Sequence, residues 1–141
     1  MKMSERNKII NYFVEKLSTI DELSKVTTLV KPLDALSTTE LPMVIIIDGD
    51  ETREYSGARM LAYFDVHLRI IDDRSNHHKE PFFVNQLISK IEKLLEEDPY
   101  LGGLSVAPIE IDRIETDEGW LYPFTFANIV VKTTYTRVTP R

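Results

Sequence analysis

Apolar residues recur at three- and four-residue steps from Ser4 to about Lys25. Ile9, Ile10, Phe13, Val14, Leu17, Ile20 and Leu23 carry the pattern, with Glu15, Lys16, Asp21 and Glu22 between them. This spacing predicts an amphipathic helix with Ser4 as its N-cap. Val26 to Val30 is short, β-branched and stopped by Pro32, so it reads as a strand followed by a loop through Thr39. Met43 to Ile47 is a continuous apolar run between Pro42 and Gly49, too short for a helix and suited to a strand buried on both faces. From Arg59 to Ile71 the alternation is nearly unbroken: Met60, Ala62, Phe64, Val66, Leu68 and Ile70 point one way, Arg59, Tyr63, Asp65, His67 and Arg69 the other.

A polar connection, Asp72 to Glu80, leads to Pro81, which suits the first turn of a second helix. That helix presents Phe83, Val84, Leu87, Ile88, Ile91, Leu94 and Leu95 on one face and ends near Asp98. Pro99 stops it, because the ring restrains the preceding residue and removes a donor. Gly102 and Gly103 then supply positive φ for a reversal. Leu104 to Ile114 reads as a strand that Pro108 marks as an edge or a bulge. Beyond a loop at Asp117 to Trp120, Phe124 to Val138 forms a last long strand. The order α-β-β-β-α-β-β predicts an α+β fold, a mostly antiparallel sheet packed by two helices. Proline and glycine fall at element ends and no linker interrupts the pattern, so residues 1–141 are expected to form one domain.

Composition narrows the function. The chain has 141 residues, 43% apolar and 28% charged, ordinary globular values. It lacks cysteine, which removes disulfide frameworks, thiolate zinc sites and cysteine nucleophiles. Its net charge of −6 argues against a sequence-reading nucleic-acid binder, yet suits a channel through which a polyanion slides without sticking. No apolar run has the length of a membrane span. The first residues lead into a charged amphipathic segment instead of an apolar signal core, so the expected compartment is the cytoplasm.

Candidate chemistry is sparse. Asp48, Asp50 and Glu51 bring carboxylates together after a strand, but without a calcium-loop spacing, so Asp48 to Glu51 reads as a solvated turn around Gly49, not a metal site. Glu110-Ile111-Asp112-Arg113 offers acids without the lysine a magnesium nuclease needs. His77 and His78 are adjacent and diverge on any regular backbone. No nucleophile elbow, phosphate loop or dinucleotide fingerprint occurs, so no catalytic residue and no cofactor is assigned. The candidate interface residues are Tyr63, Asp65, His67 and Arg69 on the polar side of the long strand, together with Trp120 and Tyr122, aromatics that suit either a protein contact or core packing. Long strands in so small a chain leave edges to be covered, which favours assembly over catalysis.

Two blocks point to a family. Leu41-Pro42-Met43-Val44-Ile45-Ile46-Ile47-Asp48-Gly49-Asp50-Glu51 and Asp98-Pro99-Tyr100-Leu101-Gly102-Gly103-Leu104, with the element order and a final strand reaching Tyr135, resemble the tail terminator (minor tail, or tail completion) proteins of tailed bacteriophages over about residues 5 to 137. The matching positions Gly49, Pro99, Gly102 and Gly103 are structural punctuation, not chemistry. The resemblance implies a structural virion protein of tail and neck, a hexameric ring that caps the tail tube and stops its polymerisation. It also implies that the ring offers a joining surface to the head-tail connector and passes DNA through its lumen without specific binding. A neck or head-completion protein of similar fold is the alternative within assembly. A small metal-dependent nuclease is the alternative of another class.

Overall fold

A computed structural model describes residues 3–74 and 82–138. The elements are α1 (Glu5–Leu17), β1 (Lys25–Thr27), β2 (Met43–Ser56), β3 (Arg59–Asp73), α2 (Phe83–Glu96), β4 (Glu110–Thr116) and β5 (Phe124–Val138), with single 3-10 turns at Leu33–Ala35, Thr38–Glu40 and Leu101–Gly103. One five-stranded sheet has the order β1-β2-β3-β5-β4. Among the described residues only the β1–β2 pair is parallel. The α+β architecture and the element order are those the sequence predicts.

β3 is the axis of the sheet, pairing with β2 on one side and along its whole length with β5 on the other, Arg59 opposite Val138 and Asp73 opposite Phe124. Its period-two alternation is realised as read. Met60, Ala62, Phe64, Val66, Leu68 and Ile70 are all buried beneath the helices. Ile9, Phe13 and Leu17 of α1 and Val84, Leu87, Ile88, Ile91 and Leu95 of α2 join the same core. Val44 and Ile46 on β2 and Ala127, Ile129, Val131 and Tyr135 on β5 complete it. Each fully buried Leu, Ile, Val or Phe contributes about 1.5–3 kcal/mol relative to an exposed one, so this row is the main source of stability. On the other face a smaller cluster, Leu41, Met43, Ile45 and Ile71 with Leu36, Ile47, Phe124 and Phe126 packed on it, buries one end of the sheet. Met43 to Ile46 are thus buried on both faces, as their continuous apolar run requires.

Several boundaries differ from the sequence pattern, for local reasons. Helix α1 is capped by Ser4, whose Oγ accepts from the Asn7 N–H at 3.1 Å, but it stops at Leu17 instead of near Lys25. The Ser18 and Thr19 hydroxyls donate back to the carbonyls of Val14 (2.5 Å) and Lys16 (2.6 Å), so side chains compete with further helical bonds. Ile20 and Leu23 still pack on the core from turns. β1 covers only Lys25–Thr27, and β4 begins at Glu110, beyond Pro108, as the outer strand with a register shift between Ile111 and Arg113. The connection after β3 starts later than Asp72, because Asp72 and Asp73 are buried strand residues. Pro81, His77, His78 and most of the stretch read as a polar connection lie outside the described residues.

The largest correction concerns Asp48 to Glu51. These residues do not turn the chain. β2 continues through them to Ser56, with a bulge between Asp48 and Glu51, and the reversal comes at Gly57, whose φ is 61°. Gly49 is therefore a strand residue, and its role is close approach: a β-carbon there would stand 2.7 Å from His67 Cδ2 and 2.8 Å from the Asp65 carbonyl oxygen. A bulge absorbs the extra residue that polar composition disguises as a turn. The consequence is a long β2–β3 hairpin whose last part, residues 52–59, is exposed throughout.

At the end of α2, Gly102 (φ 64°) and Gly103 (φ 95°) both occupy the left-handed region. Asp98 accepts from the Gly102 N–H at 3.1 Å and from the Tyr12 hydroxyl at 2.6 Å, fastening this reversal to α1. The Pro99 carbonyl accepts from the Ile109 N–H at 2.8 Å and leads the chain toward β4.

Gly102→Val or Gly103→Val is expected to lower stability by about 1–3 kcal/mol through backbone strain alone, because there is room for a β-carbon at both positions. Gly49→Ala should cost about 1–3 kcal/mol by the opposite cause, a clash that a backbone carbonyl cannot yield to. Urea melts of the three variants check both statements. Parental midpoints for either group would show that its stated cause is wrong.

Candidate functional site

The residues that could meet a partner lie on the helix-free sheet face, along the projecting hairpin and in the β4–β5 loop. On the helix-free face Tyr63 is 39% exposed, while Asp65, His67 and Arg69 are half-buried. The four share a face because they sit at alternate positions of β3. Neighbouring strands fill in the surface: Lys132 stands opposite Asp65, Val130 opposite His67 and Asn128 opposite Arg69. The Tyr63 hydroxyl donates to Glu54 at 3.1 Å. His67 Nδ1 lies 2.8 Å from Asn128 Nδ2, which also donates to Glu115 at 3.1 Å. On β4, Arg113 pairs with Asp112 at 2.8 Å, and Lys132 approaches the same carboxylate at 3.8 Å. The face is a web of exposed pairs of both signs, adding little stability individually and offering a partner many polar groups.

Trp120 and Tyr122 lie elsewhere, in the β4–β5 loop, 85% and 70% exposed. Of the two readings of these aromatics, the structure excludes core packing. Tyr122 lines a groove with Phe82, Ile88 and Phe126 beside the start of α2. Asp117 holds the loop, accepting from the Leu121 N–H at 3.0 Å. The six candidate residues thus form two separate patches.

The exposed hairpin is anchored by groups that the sequence does not bring together. Glu51, with its side chain 7% exposed, accepts from the Tyr135 hydroxyl at 2.6 Å and from Arg53 Nε at 2.5 Å, and Arg6 Nε of α1 lies 3.8 Å away. Arg6 also bonds Asp48 at 3.3 Å and lies 4.6 Å over the Phe64 ring, which meets Tyr135 edge-on. One carboxylate therefore joins α1, β2 and β5 at the bulge where the outer part of the hairpin begins. Burial opposes its charge, but the Tyr135 and Arg53 bonds and the two guanidinium charges outweigh that, holding the Glu51 carboxyl below its ordinary range. Burial, then the bond to Glu51, raise the Tyr135 phenol. Glu51 carries a sequence signal only as a candidate cation ligand. Its partners Arg6 and Tyr135 are 45 and 84 positions away and carry none. Among the described residues no three His, Asp or Glu side chains converge as a metal site would require.

Since Glu51 titrates below its ordinary value in the folded state, its contribution is fully present above that value, near 4.5, and is lost as pH falls through the lowered one. Glu51→Gln is therefore expected to be less stable than the parent at about pH 7, with the difference shrinking at about pH 3. Denaturant melts across that range check it. A difference independent of pH would show that the charge of Glu51 plays no part.

A search of curated proteins finds no match. A family model described as Bacteriophage Tail Tube Terminator Protein matches residues 3–141, nearly the whole chain. The match agrees with the resemblance carried by the Leu41–Glu51 and Asp98–Leu104 blocks. It indicates a structural virion tail protein that meets the tail tube. This chain belongs to the bacteriophage tail tube terminator family.

Proposed function

We propose that the protein ends growth of the tail tube as a hexameric ring seated on the last tube ring, one domain per subunit, and that the ring's other face receives the head-tail connector. The family match over residues 3–141 carries the terminator role. The fold supports a mechanism that is geometric. β1 pairs only with Met43–Ile45, so among the described residues the outer edge of β2 from Ile46 to Ser56 has no strand beside it, and β4 is bare on the other flank. Two uncovered edges on different flanks suit a closed ring, in which each subunit shields its neighbour. The helix-free face, with Tyr63, Asp65, His67 and Arg69, and the aromatic loop, with Trp120 and Tyr122, are the proposed partner surfaces.

The net charge of −6 suits a lumen through which DNA slides without specific contact. Such a ring need form only on the tube, because subunits of this size bury little surface with one neighbour at low concentration. Tails assembled with and without the protein and imaged by electron microscopy test the proposal. Without it, tubes should be overlong and should not join heads; with it, a six-fold ring should cap tails of normal length. Tails of normal length that join heads in its absence would overturn the proposal.

A further inference from the structure

The hairpin tip and the β4 side of the sheet carry opposite charge. Residues 52–59 hold Arg53 and Arg59 against Glu54, and Arg137 stands beside them, opposite Met60. Among the described residues neither Arg59 nor Arg137 has an ion-pair partner. Arg53 is bound to Glu51. Residues 110–118, forming β4 and the start of its loop, hold Glu110, Asp112, Glu115, Asp117 and Glu118 against Arg113 alone. Lys132 and Arg113 reach Asp112, and Arg113 also nears Glu115, while Glu110, Asp117 and Glu118 have no cation within ion-pair distance among the described residues. In a chain that is acidic overall, the tip is thus a basic island. Its residues are exposed, and exposed Tyr55 and Val138 belong to the same surface.

We propose that the basic hairpin tip of one copy docks on the acidic β4 side of a second copy. The occupant follows from complementarity: unpaired guanidinium groups on one surface and unpaired carboxylates on another surface of the same chain. The two patches are far apart in the sheet order, since the hairpin joins β2 and β3 while β4 is the last strand. The contact is therefore head-to-tail, and repeating it makes a ring if the rotation closes. The inference deepens the ring proposed above and rests on it. The Glu51 anchor has a part here, because it fixes the direction in which the hairpin leaves the sheet.

Introduced thiols are unambiguous in a chain without cysteine. Ser56→Cys and Thr116→Cys, made as separate variants, are mixed on tail tubes and treated with a short thiol-to-thiol crosslinker. The mixture should crosslink and neither variant alone should. The double variant should give a ladder of crosslinked copies. Arg59→Glu with Arg137→Glu should reduce the crosslink by about tenfold or more. Adding Glu110→Arg with Glu118→Arg in the partner copy should restore it, a recovery that a merely misfolded variant would not show. Crosslinks of Ser56→Cys to itself or to the tube protein, or no crosslink in the mixture, would overturn the docking. Capped tails of normal length formed by the Arg59→Glu, Arg137→Glu variant would overturn it too, while leaving the terminator role standing.

Discussion

The alternation along β3 is the constraint on which the rest of the structure depends. Side chains on a strand change face at every residue, so a one-residue slip would send Met60, Ala62, Phe64, Val66, Leu68 and Ile70 into solvent and bring Arg59, Asp65 and Arg69 under the helices. That cost pins the register of β2 and β5 against β3, and through β5 that of β4. Both helices dock on the apolar row that results. The opposite face is left polar over its middle and is therefore free to serve as a contact surface.

The length of β2 and β3 makes the hairpin. Arg6 of α1 lies over the Phe64 ring, and β2 and β3 run on to Ser56 and Arg59. Met60 and Ala62 are still buried in the core, whereas residues 52–59 are exposed throughout. A two-stranded ribbon is at best marginal alone. Here β5 extends to Val138 and makes it three-stranded, and the Glu51 group ties its base to α1. A carboxylate so little exposed is costly unless it is bonded, and its two guanidinium neighbours and the Tyr135 hydroxyl meet that condition. The bulge that begins at Asp48 is what places Glu51 on the helix side, and the missing side chain at Gly49 is what lets His67 lie against the strand.

For a tail tube terminator this division of labour is physically sensible. The sheet and helices share one core, while the surfaces proposed to meet other proteins are edges, loops and a hairpin that the core positions without covering. The proposed role needs no buried reactive group, since a surface that accepts the tube and offers no equivalent surface for further growth would suffice.

Periodicity alone determined that the two helices, the long central strand and the final strand exist, because each carries an apolar row that a local pattern suffices to read, although the row of α1 runs on past Leu17, where the helix stops. The blocks at Leu41–Glu51 and Asp98–Leu104 carried the family, because turn and strand punctuation has strict backbone requirements, met here by the positive φ of Gly102 and Gly103. Where side chains interact only through the fold, the pattern was silent. The polar run from Asp48 to Ser56 has the composition of a turn, and only pairing with β3 makes it a strand. The Glu51 group depends on Arg6 and Tyr135, far away in sequence and close only because α1 packs by β2 and β5 lies on the far side of β3 from it. The exposure of Trp120 and Tyr122 was likewise settled by tertiary structure, since an aromatic pair beside a proline fits a core as well as a surface until the neighbouring elements are in place.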